Sequence, residues 1–398
     1  MGQRPSRHQI LISALILAGG FLAPGLALAL GSAPSGKQLA AEGQKLYDEG
    51  KFGEALLKFE QAIKAGAEGG DLFYQTGYCL KVVRQDQESS RQYMTRAAPL
   101  LEKALEGKGA SPAPYYYLAA IYTVELADWE RGSAVAKRGV AQVEGGAFKK
   151  ATDGASLFQI ARLYTIAGDK DKAIAWYERS AAAFDSAKAP NREYRVAALL
   201  QLATYYNGKQ DFARASEWFG RLLAVDPGRD AERITAGMAM TKAERYAEAA
   251  AILRTGFLTD EMATEANYLV RVLDRYIALQ GPAVPEEVRK LDEAGLSQAI
   301  DKAAATLGGI RQKDEEEFQK SIPPPEEPKT VWKATKSGQR IQVKVPPPEP
   351  APVTPPPPSA ERQAAEKEFF GLLLEYVRRG HLIREFCLGK GLAALIFR

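Results

Sequence analysis

Apolar residues recur at helical spacing through most of the chain. In the stretch 155–184, Leu157, Ile160, Ala161 and Tyr164 stand at i, i+3, i+4 and i+7, which is one face of a helix. Gly168-Asp169 then interrupts the pattern, as a helix stop followed by a tight turn does. A second stripe follows in Ala173, Tyr177, Ser180 and Ala181, flanked by Ile174 and Trp176. The pattern predicts a helix, a short turn and an antiparallel helix. Ala161 and Ala173 are small where the backbones approach, and Tyr164 and Tyr177 are large where the gap needs filling. One such pair cannot bury its apolar stripe alone, so copies are expected beside it.

The copies are present. The small second-helix residue recurs as Ala55, Gly132, Ala173, Ala215 and Ala249, with gaps 173 − 132 = 41, 215 − 173 = 42 and 249 − 215 = 34. The step from 55 to 132 leaves room for a further unit, whose small first-helix residue is Gly77, 34 after Gly43. In that unit, 71–106, Ser89 is expected in alanine's place. Turns are predicted at Asp48-Glu49-Gly50-Lys51, Arg84-Gln85-Asp86, Asp128-Trp129, Gly168-Asp169, Gln210-Asp211 and Glu244-Arg245. Self-similarity at this period makes an array of about six units over 37–260.

At this point the chain resembles the tetratricopeptide repeat family. The family's first-helix pattern of a bulky residue, Leu-Gly and Tyr maps onto Leu157, Ile160-Ala161 and Tyr164. It maps equally onto Leu199, Leu202-Ala203 and Tyr206, and onto Tyr115, Leu118-Ala119 and Tyr122, with a closing Asp226-Pro227. The resemblance implies an all-α, right-handed α-solenoid of helix–turn–helix repeats whose first helices line a concave groove for partner polypeptides. The groove positions implied here are Gln44 and Tyr47, then Tyr74, Tyr78 and Lys81, then Tyr116, then Phe158 and Arg162, then Thr204 and Asn207. Tyr47, Tyr74, Tyr78, Tyr116 and Phe158 make an aromatic line, which suits a protein interface as well as it suits packing between units. Some members hold a C-terminal carboxylate with a clamp of Lys and Asn; that pattern is not reproduced, with only Lys81, Arg162 and Asn207 spread along the groove.

The flanks read differently. Arg4, Arg7 and His8 precede an apolar run from Ile10 to Leu30, and Ala27-Leu28-Ala29 has small residues at cleavage spacing. Residues 1–29 are therefore expected to be a signal peptide cleaved near Ala29, with an uncleaved anchor as the competing reading. Residues 261–310 read as capping helices. A proline-rich linker is expected over 311–359, although its opening charged run, Arg311 to Lys320, reads as a solvated helix end. Within it 330–345 admits two readings, a small hairpin marked by alternating Ile341, Val343 and Val345, or an extended spacer. Residues 360–398 return to helical spacing with Phe369, Phe370, Leu373, Leu374 and Val377. Their apolar face must be covered by a membrane surface, the array, another copy or a partner.

Composition narrows the function. Lys+Arg 53 against Asp+Glu 49 gives a mixed surface of net +4, not the basic excess of a nucleic-acid binder. Two histidines, His8 and His381, make no histidine-based metal cluster, and His381 stands near no nucleophile motif. No cofactor and no enzymatic activity are expected. Cys79 and Cys387 read as buried thiols, with a bridge between them as the alternative in an oxidising compartment. The favoured expectation is a scaffold exported to the periplasm or beyond the bacterial envelope, binding polypeptides in the groove. The alternative is an assembly component acting through 360–398 at a membrane surface or by self-association.

Overall fold

The computed structural model describes residues 34–107, 111–188, 190–257, 259–281, 285–324, 326–334, 336, 338–347 and 353–397. The stretch expected to be an export signal lies outside them.

Six antiparallel helix pairs form the array. They are α1 (Gly36–Asp48) with α2 (Phe52–Lys64), α3 (Gly70–Cys79) with α4 (Gln87–Ala104), and α5 (Ala113–Ala120) with α6 (Trp129–Glu144). Next come α7 (Gly154–Ala167) with α8 (Lys170–Ser186), α9 (Arg192–Gly208) with α10 (Phe212–Val225), and α11 (Asp230–Lys242) with α12 (Tyr246–Leu253). Each first helix ends in the same device. Gly50, Gln85, Ala127, Gly168, Gln210 and Glu244 adopt φ values between 53° and 94°, and the next residue is the N-cap of the second helix. In four of the six units that cap is an aspartate: Asp86, Asp128, Asp169 and Asp211 accept the N–H three residues on at 3.0–3.1 Å.

Four residues after each cap stands the small residue that lets the helices close. In the second unit it is Ser90, fully buried, and not the expected Ser89. The register follows from the cap at Asp86, as Ala173 follows from Asp169. Opposite it, a Cβ on Gly77 would come within 2.8 Å of the Ser90 carbonyl oxygen. Helices α3 and α5 end in π-helical turns, Leu80–Arg84 and Ile121–Glu125, unlike the first helices of the other units.

Beyond the array, α13 (Asp260–Ala278) is followed by the short α14 (Glu286–Arg289) and the long α15 (Glu293–Ser321). The charged run from Arg311 to Lys320 is thus the C-terminal third of α15 and no part of a linker. An antiparallel hairpin follows, β1 (Lys329–Ala334) with β2 (Arg340–Val345), in which Val331 faces Val343. Its side chains are almost all exposed, Trp332 included. The chain then returns, with Pro355–Pro358 against the end of α15. It finishes in α16 (Ala360–Arg378), α17 (Ile383–Gly389) and α18 (Ala393–Phe397).

The first of these is not presented outward. Phe369, Phe370, Leu373, Leu374 and Val377 are buried against α11, α13 and α15. The array's own end covers that face of α16, while Leu382, Leu388 and Phe397 of the following segment stay exposed. No helix among the described residues is long and apolar enough to cross a membrane. The two cysteines are free and lie in separate cores, Cys79 in the array and Cys387 in the terminal cap, so the bridge does not form. Burial pushes both thiols up to about 12.

Candidate functional site

The first helices of units one to five converge, and they do so completely enough to close a ring. Tyr47 of α1 meets Tyr194 of α9 across 147 residues, hydroxyl to hydroxyl at 3.3 Å. Asn191 Nδ2 donates to the Tyr47 carbonyl oxygen at 2.9 Å, while Asn191 Oδ1 caps α9 by accepting the Tyr194 N–H at 3.1 Å. Aromatic rings from the first helices then pack in series round the axis. Tyr194 stacks on Phe158 with centroids 4.7 Å apart, Phe158 meets Tyr116 at 6.4 Å, and Tyr116 meets Tyr74 at 6.4 Å. Tyr117 stacks on Tyr74 at 4.1 Å, and Tyr78 stands edge-on to Tyr47 at 5.8 Å. Burial raises the phenols of Tyr47, Tyr74, Tyr117 and Tyr194 well above their usual pKa, so all stay neutral.

This divides the ten expected groove residues. Tyr47, Tyr74, Tyr116 and Phe158 are core: they fill the axis of the ring and leave no surface for a partner. Offset and edge-to-face packing of this kind stabilises beyond its area, which is why a short superhelical turn closes on itself. Gln44, Tyr78, Lys81, Arg162 and Asn207 are half-buried around the plug, and Thr204 is exposed. Lys81 Nζ pairs with Glu125 at 2.8 Å, from one π-turn to the next. Beside that pair, Val82 is 43% and Val124 57% exposed.

On the side where α3, α5, α7 and α9 begin, the plug floors a recess of about 470 Å³. Gln75 Nε2 donates to Tyr117 Oη at 3.1 Å and to Gln44 Oε1 at 2.7 Å, and Gln44 Nε2 donates to Asp48 Oδ1 at 2.8 Å. Asp71, Asp153 and Gln159 complete the polar wall, and the lining holds no Lys, Arg or His. Asp48 keeps accessible surface yet is ringed by protein, and desolvation, aided by nearby Asp153, carries its carboxyl up to about 6 against the pull of Gln44. Desolvation raises Asp71 too. Of the ten, only Gln44 belongs to this wall, beside Asp48, which the same family pattern also turns toward the groove. A signal was present: Gln75, Tyr117 and Gln159 each follow an aromatic groove position, at 117 − 75 = 42 and 159 − 117 = 42.

Residues 153–227, which are α7 to α10, match the family model described as Tetratricopeptide repeat. Residues 153–227 are built of tetratricopeptide repeats. Among solved structures, the Cut9–Hcn1 hetero-tetramer of the APC/C is 13% identical, with 60% of this chain and 43% of that chain covered and a TM-score of 0.41. This chain therefore spans less than half the length of that relative. Yeast Tom70 is 13% identical over 68% of this chain and 71% of its own, TM-score 0.30. The TPR2AB-domain:pHSP90 complex of yeast Sti1 is 16% identical over 61% and 95%, TM-score 0.20. A comparison with curated proteins gave no match. The tetratricopeptide repeats of this chain thus use their usually groove-facing aromatics to seal the ring, and what stays accessible is its two faces.

Proposed function

We propose that this protein is a non-enzymatic scaffold of the bacterial cell envelope whose tetratricopeptide repeats hold partner polypeptides on the accessible faces of the closed ring. The observation that carries the reading is the band on the two π-helical turns. Val82 and Val83 on one π-turn and Val124 on the next stand exposed beside the Lys81–Glu125 pair. Exposed apolar residues rimmed by charge are what a protein interface looks like before its partner arrives. The envelope setting is supported by Arg4, Arg7 and His8 ahead of the apolar run Ile10 to Leu30. The reading that placed function in 360–398 at a membrane surface loses the apolar face of α16 to the array.

A photo-crosslinking residue at position 82 or 124, in the full chain expressed in its own cell, tests the surface. Both positions are expected to trap the same polypeptide, and position 353 in the linker is expected not to. Equal trapping from all three, or none from 82 and 124, overturns it. The export reading predicts a periplasmic or secreted mature chain beginning close after Ala29; a cytoplasmic chain retaining Met1 overturns that part alone.

A further inference from the structure

The recess beside Asp48 differs from the apolar band in every respect that matters for chemistry. Its wall carries Gln44, Asp48, Asp71, Gln75, Asp153 and Gln159, and no cation. None of its three carboxylates forms an ion pair among the described residues. Two have ordinary local reasons to be there. Asp71 lies in the first turn of α3, and Asp153 caps α7 by accepting the Ser156 N–H at 2.8 Å. Asp48 has none: it is the last residue of α1, where the helix dipole opposes a negative charge. Four helix N-termini open toward the recess, each worth about half a positive charge. They do not offset three carboxylates and the C-terminal end of α1.

A second observation is independent of the acids. Gln159 is 6% exposed and lines the recess, and its amide makes no hydrogen bond among the described residues. With the rest of the side chain enclosed, the amide keeps its hydrogen-bonding capacity for whatever occupies the recess. A single metal ion is a poor candidate, because no group of three His, Cys, Asp or Glu among the described residues is close enough to hold one. Donors spread round a recess of about 470 Å³ suit a larger cation that forms several directed hydrogen bonds.

We infer that this recess binds an organic cation, the guanidinium or ammonium end of a basic group, with Asp48 and Asp71 supplying charge and Gln159 a hydrogen bond. The site stands on its own geometry; only the view that the cation is an Arg or Lys side chain rests on the proposed polypeptide partner. The titratable groups facing it from every wall are Asp48, Asp71, Asp153 and the Tyr117 hydroxyl. Binding therefore weakens as pH falls through about 6, where Asp48 takes up its proton.

Titration calorimetry on the full chain tests this with two probes: agmatine, and an Arg-centred pentapeptide beside its Leu-centred counterpart. The Arg peptide is expected to bind and the Leu peptide not to. Asp48→Asn with Asp71→Asn is expected to weaken binding roughly tenfold or more, as charge-assisted hydrogen bonds of this kind are worth. Gln159→Met keeps the charge and is expected to weaken binding less. Agmatine binding as tightly as the peptide identifies a free amine as the source; peptide binding alone identifies a side chain. Affinity unchanged in the Asp48→Asn, Asp71→Asn chain, displacement by calcium, or no binding of either probe overturns the site. Crosslinking at 82 and 124 that persists in the same chain leaves the scaffold reading intact while the site falls.

Discussion

The ring and the cap at its C-terminal end bury similar kinds of surface by opposite routes. The ring's core is assembled from neighbours in sequence: aromatics and alanines pack mostly within their own unit or the next, and the contacts of Tyr47 with Tyr194 and Asn191 reach across. The cap is assembled from segments some hundred residues apart. Helix α16 returns past a hairpin and three proline runs to lie on α11, α13 and α15. Its pieces are pinned by charge. Glu265 of α13 caps α17 from outside, accepting the Ile383 and Arg384 N–H groups at 2.8 and 3.1 Å. Glu366, 1% exposed, accepts from Arg311 at 2.8 Å and from Arg362 at 3.3 Å. A repeat needs only its neighbour to fold, whereas the tail needs a named address, and buried charge supplies one.

The largest effect expected from breaking that contrast is at Glu366. Burial raises its carboxyl, and Arg311, Arg275 and Arg362 more than offset this, holding it below the usual carboxylate range. Removing one partner of a buried charge cluster costs about 3–5 kcal/mol. Glu366→Ala is expected to detach α16–α18 while the ring stays folded. Thermal unfolding followed by circular dichroism is expected to split into two transitions, with protease cutting near Val353 before the first. A single cooperative transition at a lower temperature would show that ring and cap fold as one unit.

The reciprocal test is in the ring. Asn191→Ala removes both the cap of α9 and the bond to the Tyr47 carbonyl, for about 2 kcal/mol. Denaturant unfolding is expected to lose that much, and small-angle scattering to register an opened ring. Unchanged stability would mean the aromatic packing alone closes it.

How far each region could be read from sequence follows from the same contrast. The unit boundaries were legible because the caps Asp86, Asp128, Asp169 and Asp211 and the small residues four positions on repeat. Closure was not. Tyr47, Tyr74, Tyr116 and Phe158 carry the same pattern whether they line an open groove or fill a shut one, and the superhelical radius that decides it is set by the packing of all five pairs. The recess was missed for a related reason: Asp48, Asp71 and Asp153 come from three units and have no local motif. The docking of α16 on the array stayed one of four open readings because helical spacing gives a face without its partner.

A smaller effect separates the ring's turns from one another. Two of the six left-handed positions carry glycine, Gly50 and Gly168, and Ala127 carries a side chain at φ 53°. Ala127→Gly is expected to stabilise by about 1 kcal/mol and Gly168→Ala to destabilise by a similar amount. Paired unfolding curves check both signs. Two changes of the same sign would show that turn strain is not what sets these residues.

The smallest effect is the most specific to the recess. The Asp48 carboxyl is raised from 3.8 to about 6 in the folded protein, first by desolvation and then by Asp153. Between those two values the native state holds more protons than the unfolded chain, so stability is greatest below pH 4 for this group and falls as pH rises toward 6. Because the side chain keeps accessible surface, water screens the penalty to about 1 kcal/mol or less. Asp48→Asn is expected to remove this slope and to leave the protein slightly more stable at neutral pH. The gain is the measure of what the isolated carboxylate costs the ring when nothing cationic faces it. A saturating basic peptide is expected to abolish the same slope in the unsubstituted chain by holding Asp48 ionised. A pH profile that is identical with and without Asp48, and unmoved by the peptide, would mean that the recess is wet enough for its acids to behave as surface groups.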